Sequence, residues 1–146
     1  MAASNRSATR EAVIQAVFEV EFRELTDKRD TALATALEQI EDEVGHLDRP
    51  FAEQLFAAVF EKMDAIRELL TVHAPDWPYE KIARLDRAVL LAAIAELRFM
   101  DGENIPPAVT LNEYVEITKN YGEDSDRRFV NGVLSTLKKE LETTND

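Results

Sequence analysis

Eight consecutive apolar residues, "AVLLAAIA" from Ala88 to Ala95, constrain this 146-residue chain more than any other stretch. Wound as a helix they offer water no polar face, and they fall far short of the roughly 20 residues that cross a bilayer. A helix that is apolar nearly all round has to be enclosed by other elements. The pattern therefore predicts a buried central helix, Leu85 to Met100, with a bundle built around it.

The remaining sequence supplies that bundle. Four glycines and five prolines leave little material for hairpins, and the abundant Ala, Leu, Glu and Lys favour helix. Ile14, Val17, Phe18, Glu21 and Leu25 share one helical face on which Glu21 alone is polar, and Leu33, Leu37, Ile40 and Val44 repeat the spacing beyond the charged turn "TDKRD". Gly45 ends that second helix. Asp48 can then cap a third, with Pro50 tolerated in its first turn. One long helix is predicted through Phe51, Leu55, Val59, Met63 (or Lys62 one place earlier), Ile66 and Leu70, stopped by the prolines of "APDWP".

From Tyr79 a short helical turn feeds the central helix, and "DGENIPP" reads as a loop. Leu111, Tyr114, Val115 and Thr118 form a helix closed at "NYG", where Gly122 suits a left-handed cap. A last helix, from Arg127 onward, carries Phe129, Val130, Val133, Leu134, Leu137 and Leu141 on one stripe. No repeat or linker divides the chain, and 45% hydrophobic composition is ample for one core. The expectation is an all-α single domain, 1–146, with about five disordered residues at each end.

Several chemistries lack their residues. Cysteine is absent, which removes disulfides and thiolate sites. His46 and His73 stand apart from any second ligand at metal spacing and read as solvated, so no metal is expected. The glycines at 45, 102, 122 and 132 never cluster into a phosphate-cradling loop. Asp124 and Asp126 begin like a calcium loop, but Arg128 stands where the next oxygen ligand belongs. Glu41, Asp42 and Glu43 read as a solvated helix end. Neither a cofactor nor an enzyme activity is expected. The start, "MAASNRSATREAV", has no apolar core of a secretory signal, and the chain reads as soluble and cytoplasmic.

The net charge is −12, from 17 Lys and Arg against 29 Asp and Glu. Such a surface repels phosphate on average, so DNA and anionic membranes are not expected partners. Positive charge is nevertheless concentrated in two places, Arg6 with Arg10 in a segment without acids, and Arg127 with Arg128 beside Phe129. Arginines heading a helix oppose its dipole. Either they pair with Glu123, Asp124 and Asp126, or they form a cationic, aromatic platform for single-stranded RNA. Phe129 also fits the core stripe, so its orientation is open.

Four ordered blocks, "REAVIQAVFE" (Arg10 to Glu19), "LDRAVLLAAIAEL" (Leu85 to Leu97), "VTLNEYVEITKNYG" (Val109 to Gly122) and "FVNGVL" (Phe129 to Leu134), resemble the NusB family of transcription antitermination factors. The resemblance covers essentially the whole chain. It implies about seven helices in two packed subdomains, no catalysis, and binding of boxA RNA together with the ribosomal protein NusE, in an assembly that joins the RNA polymerase elongation complex and promotes ribosomal RNA transcription. It implies a free protein that is a monomer or a homodimer. Its RNA surface would fall on Arg6, Arg10, Arg127, Arg128 and Phe129, and its NusE surface on Phe18, Glu80 and Asp86. Asn112, Glu113, Asn131 and Gly132 read as scaffold, with Asn112 and Glu113 opening their helix and Gly132 allowing a second helix to approach.

The chain departs from the family pattern in its leading segment, where Ser7, Ala8 and Thr9 dilute the basic patch. Leu91 stands where an arginine is usual, and "EDSDRR" is one residue longer than the typical turn. Two rival readings follow: a helical adaptor that keeps the scaffold with little RNA binding of its own, and the RNA-binding accessory domain of a ribosomal RNA methyltransferase. Against the second, no cofactor-binding glycine strand or catalytic cysteine is present.

Overall fold

The computed structural model describes residues 2–24, 26–100 and 105–144, with side chains described for 5–24, 27–100 and 105–141. Among these residues the chain forms seven α-helices: α1 (Ala2–Arg23), α2 (Arg29–Val44), α3 (Arg49–Glu61), α4 (Met63–His73), α5 (Arg84–Phe99), α6 (Pro107–Tyr121) and α7 (Asp124–Thr144). Short 3-10 turns at Thr26–Lys28 and Tyr79–Lys81 lead into α2 and towards α5. Leu25 and residues 101–104, the first part of the expected loop, lie outside the described residues, as do Met1, Asn145 and Asp146. Helix begins at Ala2 and continues to Thr144, further into both ends than the expected disorder allows.

Every residue from Ala88 to Ala95 is at most 1% exposed, as an all-apolar helix requires. α5 touches α1, α3, α4, α6 and α7. The set α1–α3 packs on one side of it and α4, α6 and α7 on the other, and one continuous buried apolar cluster runs through both. Each large aliphatic side chain removed from water in this way contributes roughly 1.5–3 kcal/mol.

α1 and α2 form an antiparallel hairpin whose inner face holds Ile14, Val17, Leu33, Leu37 and Ile40. Val44, expected on that stripe, is exposed, because it is the last residue of α2 and the chain turns away at Gly45. Gly45 has φ of 92°, and its N–H closes the helix on the carbonyl of Glu41. The side chain of Asp48 caps α3 by accepting from the N–H of Phe51 at 3.1 Å.

The single long helix predicted from Phe51 to Leu70 is two helices. Lys62, at φ −109° and ψ 20°, ends α3 and begins α4, with backbone bonds to Ala58 and from Ile66 preserved on either side. Val59, Ile66 and Leu70 are seven and four residues apart and keep one helical face across the bend, so the apolar spacing does not explain the break at Lys62. His73, read from sequence as solvated, ends α4 with its side chain buried against Glu140 of α7.

α6 begins at Pro107, so Asn112 and Glu113 lie inside the helix and not at its opening. Gly122 is not a left-handed cap: its φ is −120° and its ψ −175°. Its smallness is required for another reason, because a Cβ there would lie 2.8 Å from Oδ2 of Asp126. That oxygen accepts the N–H of Glu123 at 2.9 Å, the reciprocal half of a capping box. α7 consequently starts at Asp124, and acids occupy its first turn in accord with the helix dipole. The expected conflict between the dipole and the arginines does not arise. Gly132 also differs from expectation: it is exposed, and a Cβ would meet nothing within 4 Å, so no second helix approaches it.

Candidate nucleic-acid and partner interface

The residues expected to bind RNA fall at two ends of α5. Arg10, on α1, reaches Glu96 near the C-terminal end of α5 with two parallel bonds, Nε to Oε1 at 2.8 Å and Nη2 to Oε2 at 2.7 Å. The hydroxyl of Tyr114 on α6 donates to the same Oε1 at 2.7 Å. Arg10 is only 3% exposed. Burial works against its charge, yet the bonds to Glu96 and that carboxylate's charge hold the guanidinium above its ordinary basicity. Tyr114, buried beside Glu96, is held well above the usual phenol range. Arg10 therefore joins three helices and is not displayed to a ligand, which corrects its place on the expected surface. Its partner was invisible in the sequence.

Arg6 lies one turn earlier and is partly exposed. Its Nη2 is 3.0 Å from Oδ2 of Asp48, and its guanidinium sits 3.9 Å from the centre of the Phe51 ring. The N–H of Asp48 donates to Oγ1 of Thr9 at 3.1 Å, so the start of α1 is fastened to the start of α3.

The second cluster heads α7, beside the N-terminal end of α5. Successive helical residues are rotated by 100°, so Arg127 and Phe129 lie on opposite flanks of α7 with Arg128 between them at the solvent apex. Arg128 is exposed. Arg127 is half-buried, 3.9 Å from Asp124, and its Nε has no partner. Phe129 resolves the open question of orientation: it packs against the core and meets the ring of Trp77 edge to face, 5.6 Å between centres. The three adjacent residues are thus one apex and two flanks, not one flat platform.

Trp77 was read in the sequence only as part of a helix-stopping loop, yet it is 52% exposed. With Lys81, Ile82, Asp86, Asp126 and Phe129 it lines a cleft of about 250 Å³. The available signal was the chain's single tryptophan set between two prolines.

The expected partner-binding residues surround the same end of α5. Phe18 is half-buried and stacks in parallel on exposed Phe22, with centres 5.7 Å apart, and Arg84 lies 4.5 Å from the Phe22 ring. Phe18 also lines a groove of about 660 Å³ between α1 and α2, with Ile14, Ala32, Ala36, Leu85 and Tyr121. Glu80 is exposed and 3.6 Å from Arg67. Between these features Tyr79 lies against the guanidiniums of Arg67 and Arg87 and donates its hydroxyl to Glu21, which explains the one polar residue on the inner face of α1. Burial and that bond hold the Tyr79 phenol well above its usual range.

Asp86 is a correction: it is 4% exposed, beneath the surface it was expected to form. Burial first, and then the neighbouring carboxylate of Asp126, push its pKa up to about 7. Its Oδ1 has no hydrogen-bond partner.

Among the described residues no helix is long and apolar enough to cross a membrane. The NusB family matches over residues 7–139. The transcription antitermination protein NusB of Bacillus subtilis (strain 168) is 37% identical over 137 residues, 94% of this chain and 97% of that protein. Its counterpart in Bacillus velezensis is 36% identical over 138 residues, 94% of this chain and 98% of that one. Among solved structures, T. maritima NusB superposes with a TM-score of 0.76 at 34% identity, covering 92% of this chain and 91% of that one. A chain from the crystal structure of antitermination factors NusB and NusE in complex with dsRNA shares the fold, with a TM-score of 0.77 at 18% identity over 94% of this chain and 98% of that one. A match spanning both sides of α5 and both of its ends, joined to these identities, makes the chain a member of the NusB family.

Proposed function

We propose that this protein is an antitermination factor that binds single-stranded boxA-type RNA together with NusE and acts by binding, without a catalytic step. The observation that carries the RNA reading is the head of α7, where Arg128 faces solvent between half-buried Arg127 and Phe129 on an otherwise strongly acidic protein. An exposed guanidinium gives phosphates a foothold that the average surface denies them. Arg6 adds a second, weaker foothold, since Asp48 already offsets its charge. Arg10 contributes by holding the fold. NusE docks over Phe18 and Glu80, with Asp86 supporting that end from below. A net charge of −12 attracts a basic ribosomal protein at long range and speeds encounter.

The test is titration of labelled boxA-type and scrambled RNA, with and without NusE, at two salt concentrations. Changing Arg127 and Arg128 together to Ala is expected to weaken binding of the NusE complex and to reduce the salt slope by up to about 1.4, at roughly 0.7 per phosphate contact. Unchanged affinity and slope would remove the α7 head from the RNA surface. A second reading, a protein adaptor with little RNA binding of its own, draws support from the capture of Arg10 by Glu96. It requires recovery of NusE with no preference for RNA.

A further inference from the structure

We propose that Trp77 is a base-stacking platform, on which one unpaired nucleobase of a single-stranded RNA lies in the cleft beside Phe129 while the flanking phosphates rest near Lys81 and Arg128. The proposal rests on the RNA reading above and names a contact that reading does not contain.

Three observations carry it. An indole that leaves half its area in water gains the fold little, yet this one is held in place. Pro75 and Pro78 restrict the backbone on either side, the N–H of Trp77 closes a turn on the carbonyl of Ala74 at 3.0 Å, and Phe129 braces the ring edge to face. A stacking surface fixed before the ligand arrives loses little entropy on binding. Phe129, packed against the core, is then the brace and Trp77 the face presented to a base.

The charge distribution is the second observation. Lys81 lines the cleft and Arg128 stands outside it at the solvent apex of α7, one residue before Phe129, so the positive charge is at and beyond the edge, whereas the lining also contains Asp86 and Asp126. A phosphate is repelled from such an interior and attracted to its edge. A cationic side chain from a protein is attracted inward but repelled at the edge. A neutral base joined to phosphates suits both. Third, the cleft is continuous with the α7 head, so a strand crossing Arg128 reaches Trp77 without leaving the surface. Aromatic faces flanked by cations are the usual means of holding single strands.

Trp77 is the only tryptophan in the chain, so its emission reports on this site alone. The experiment titrates the NusE complex with boxA-type RNA and with an abasic ribose-phosphate oligomer of equal length, following tryptophan emission and, separately, binding of labelled RNA. NusE tryptophans, if any, are replaced by phenylalanine. Quenching by the RNA at the concentrations at which labelled RNA binds, and none by the abasic oligomer, is the expected result. Trp77→Ala is expected to weaken RNA binding roughly tenfold, and Trp77→Phe, which keeps an aromatic face, to restore most of it; helical signal checks that both fold. If labelled RNA binds the parent but emission does not change and Trp77→Ala binds equally well, the platform is wrong while the RNA reading stands. If emission shifts on adding NusE and RNA adds nothing further, Trp77 faces the protein partner and the proposal fails. If labelled RNA does not bind the complex at all, the RNA reading fails, and the platform with it.

Discussion

The two ends of α5 bring charges together in opposite ways. At the C-terminal end, Arg10 and Glu96 are both nearly removed from water, and the bonds between them and from Tyr114 satisfy the carboxylate. At the N-terminal end, two carboxylates, Asp86 and Asp126, face each other, one oxygen has no partner, and an exposed tryptophan and two cations stand nearby. A closed network binds nothing more and fixes helices in register. An unclosed one retains capacity for a ligand. Of the two basic clusters visible in the sequence, the first is therefore mostly scaffold, and the second keeps the open groups that the proposed RNA site requires.

The largest effect is expected where the network is closed. Glu96→Ala would leave the Arg10 guanidinium buried without its partner, at a cost of about 3–5 kcal/mol. Urea unfolding measures this directly. Replacing both residues, Arg10→Met with Glu96→Leu, is expected to recover most of the loss, because the penalty comes from an uncompensated charge and not from missing volume. A loss below about 1 kcal/mol for Glu96→Ala would mean that water reaches the pair, and the contrast between the two ends would collapse.

A smaller effect of opposite sign is expected at the other end. The folded-state pKa of Asp86, about 7, lies above its ordinary value of 3.8. The folded protein thus holds this proton more tightly than the unfolded chain does. The group's contribution to stability is complete below pH 3.8 and declines as pH rises to about 7, where the folded state must ionise it beside Asp126. The displacement corresponds to an upper limit of roughly 4 kcal/mol, and a gain of about 2 kcal/mol is expected for Asp86→Asn above pH 7. Thermal unfolding of both proteins at pH 5 and pH 8 should show the gap widening with pH. A constant gap would assign the effect to packing.

Legibility from sequence followed the range of the interactions. The central helix was plain because its apolar character is written in eight adjacent residues, and Gly45 because its positive φ is a local demand. The bend at Lys62 has no sign in the apolar pattern, because Val59, Ile66 and Leu70 keep one helical face across it. Gly122 was misread because its constraint is the approach of Asp126 and not its own φ. The resemblance puts Arg10 on the RNA surface, and its burial is not legible there because its partner Glu96 is 86 residues away. Trp77 is illegible for a related reason: whether a loop tryptophan is buried or presented is decided by what α7 packs beside it, and no local pattern records that.

The smallest effect concerns a residue that belongs to neither end. Gly132 is in the middle of α7, exposed, with open space where a Cβ would stand. A mid-helix glycine costs about 1 kcal/mol relative to alanine through the extra freedom of the unfolded chain. Gly132→Ala is therefore expected to raise stability by roughly 0.5–1 kcal/mol and to leave RNA and NusE binding unchanged. If it lowers stability, a neighbouring element approaches α7 more closely than the structure indicates, as the sequence pattern suggested. If stability rises but RNA binding falls, the solvent face of α7 beyond Phe129 is part of the contact surface, and the proposed site at the N-terminal end of α5 extends at least one helical turn further along α7.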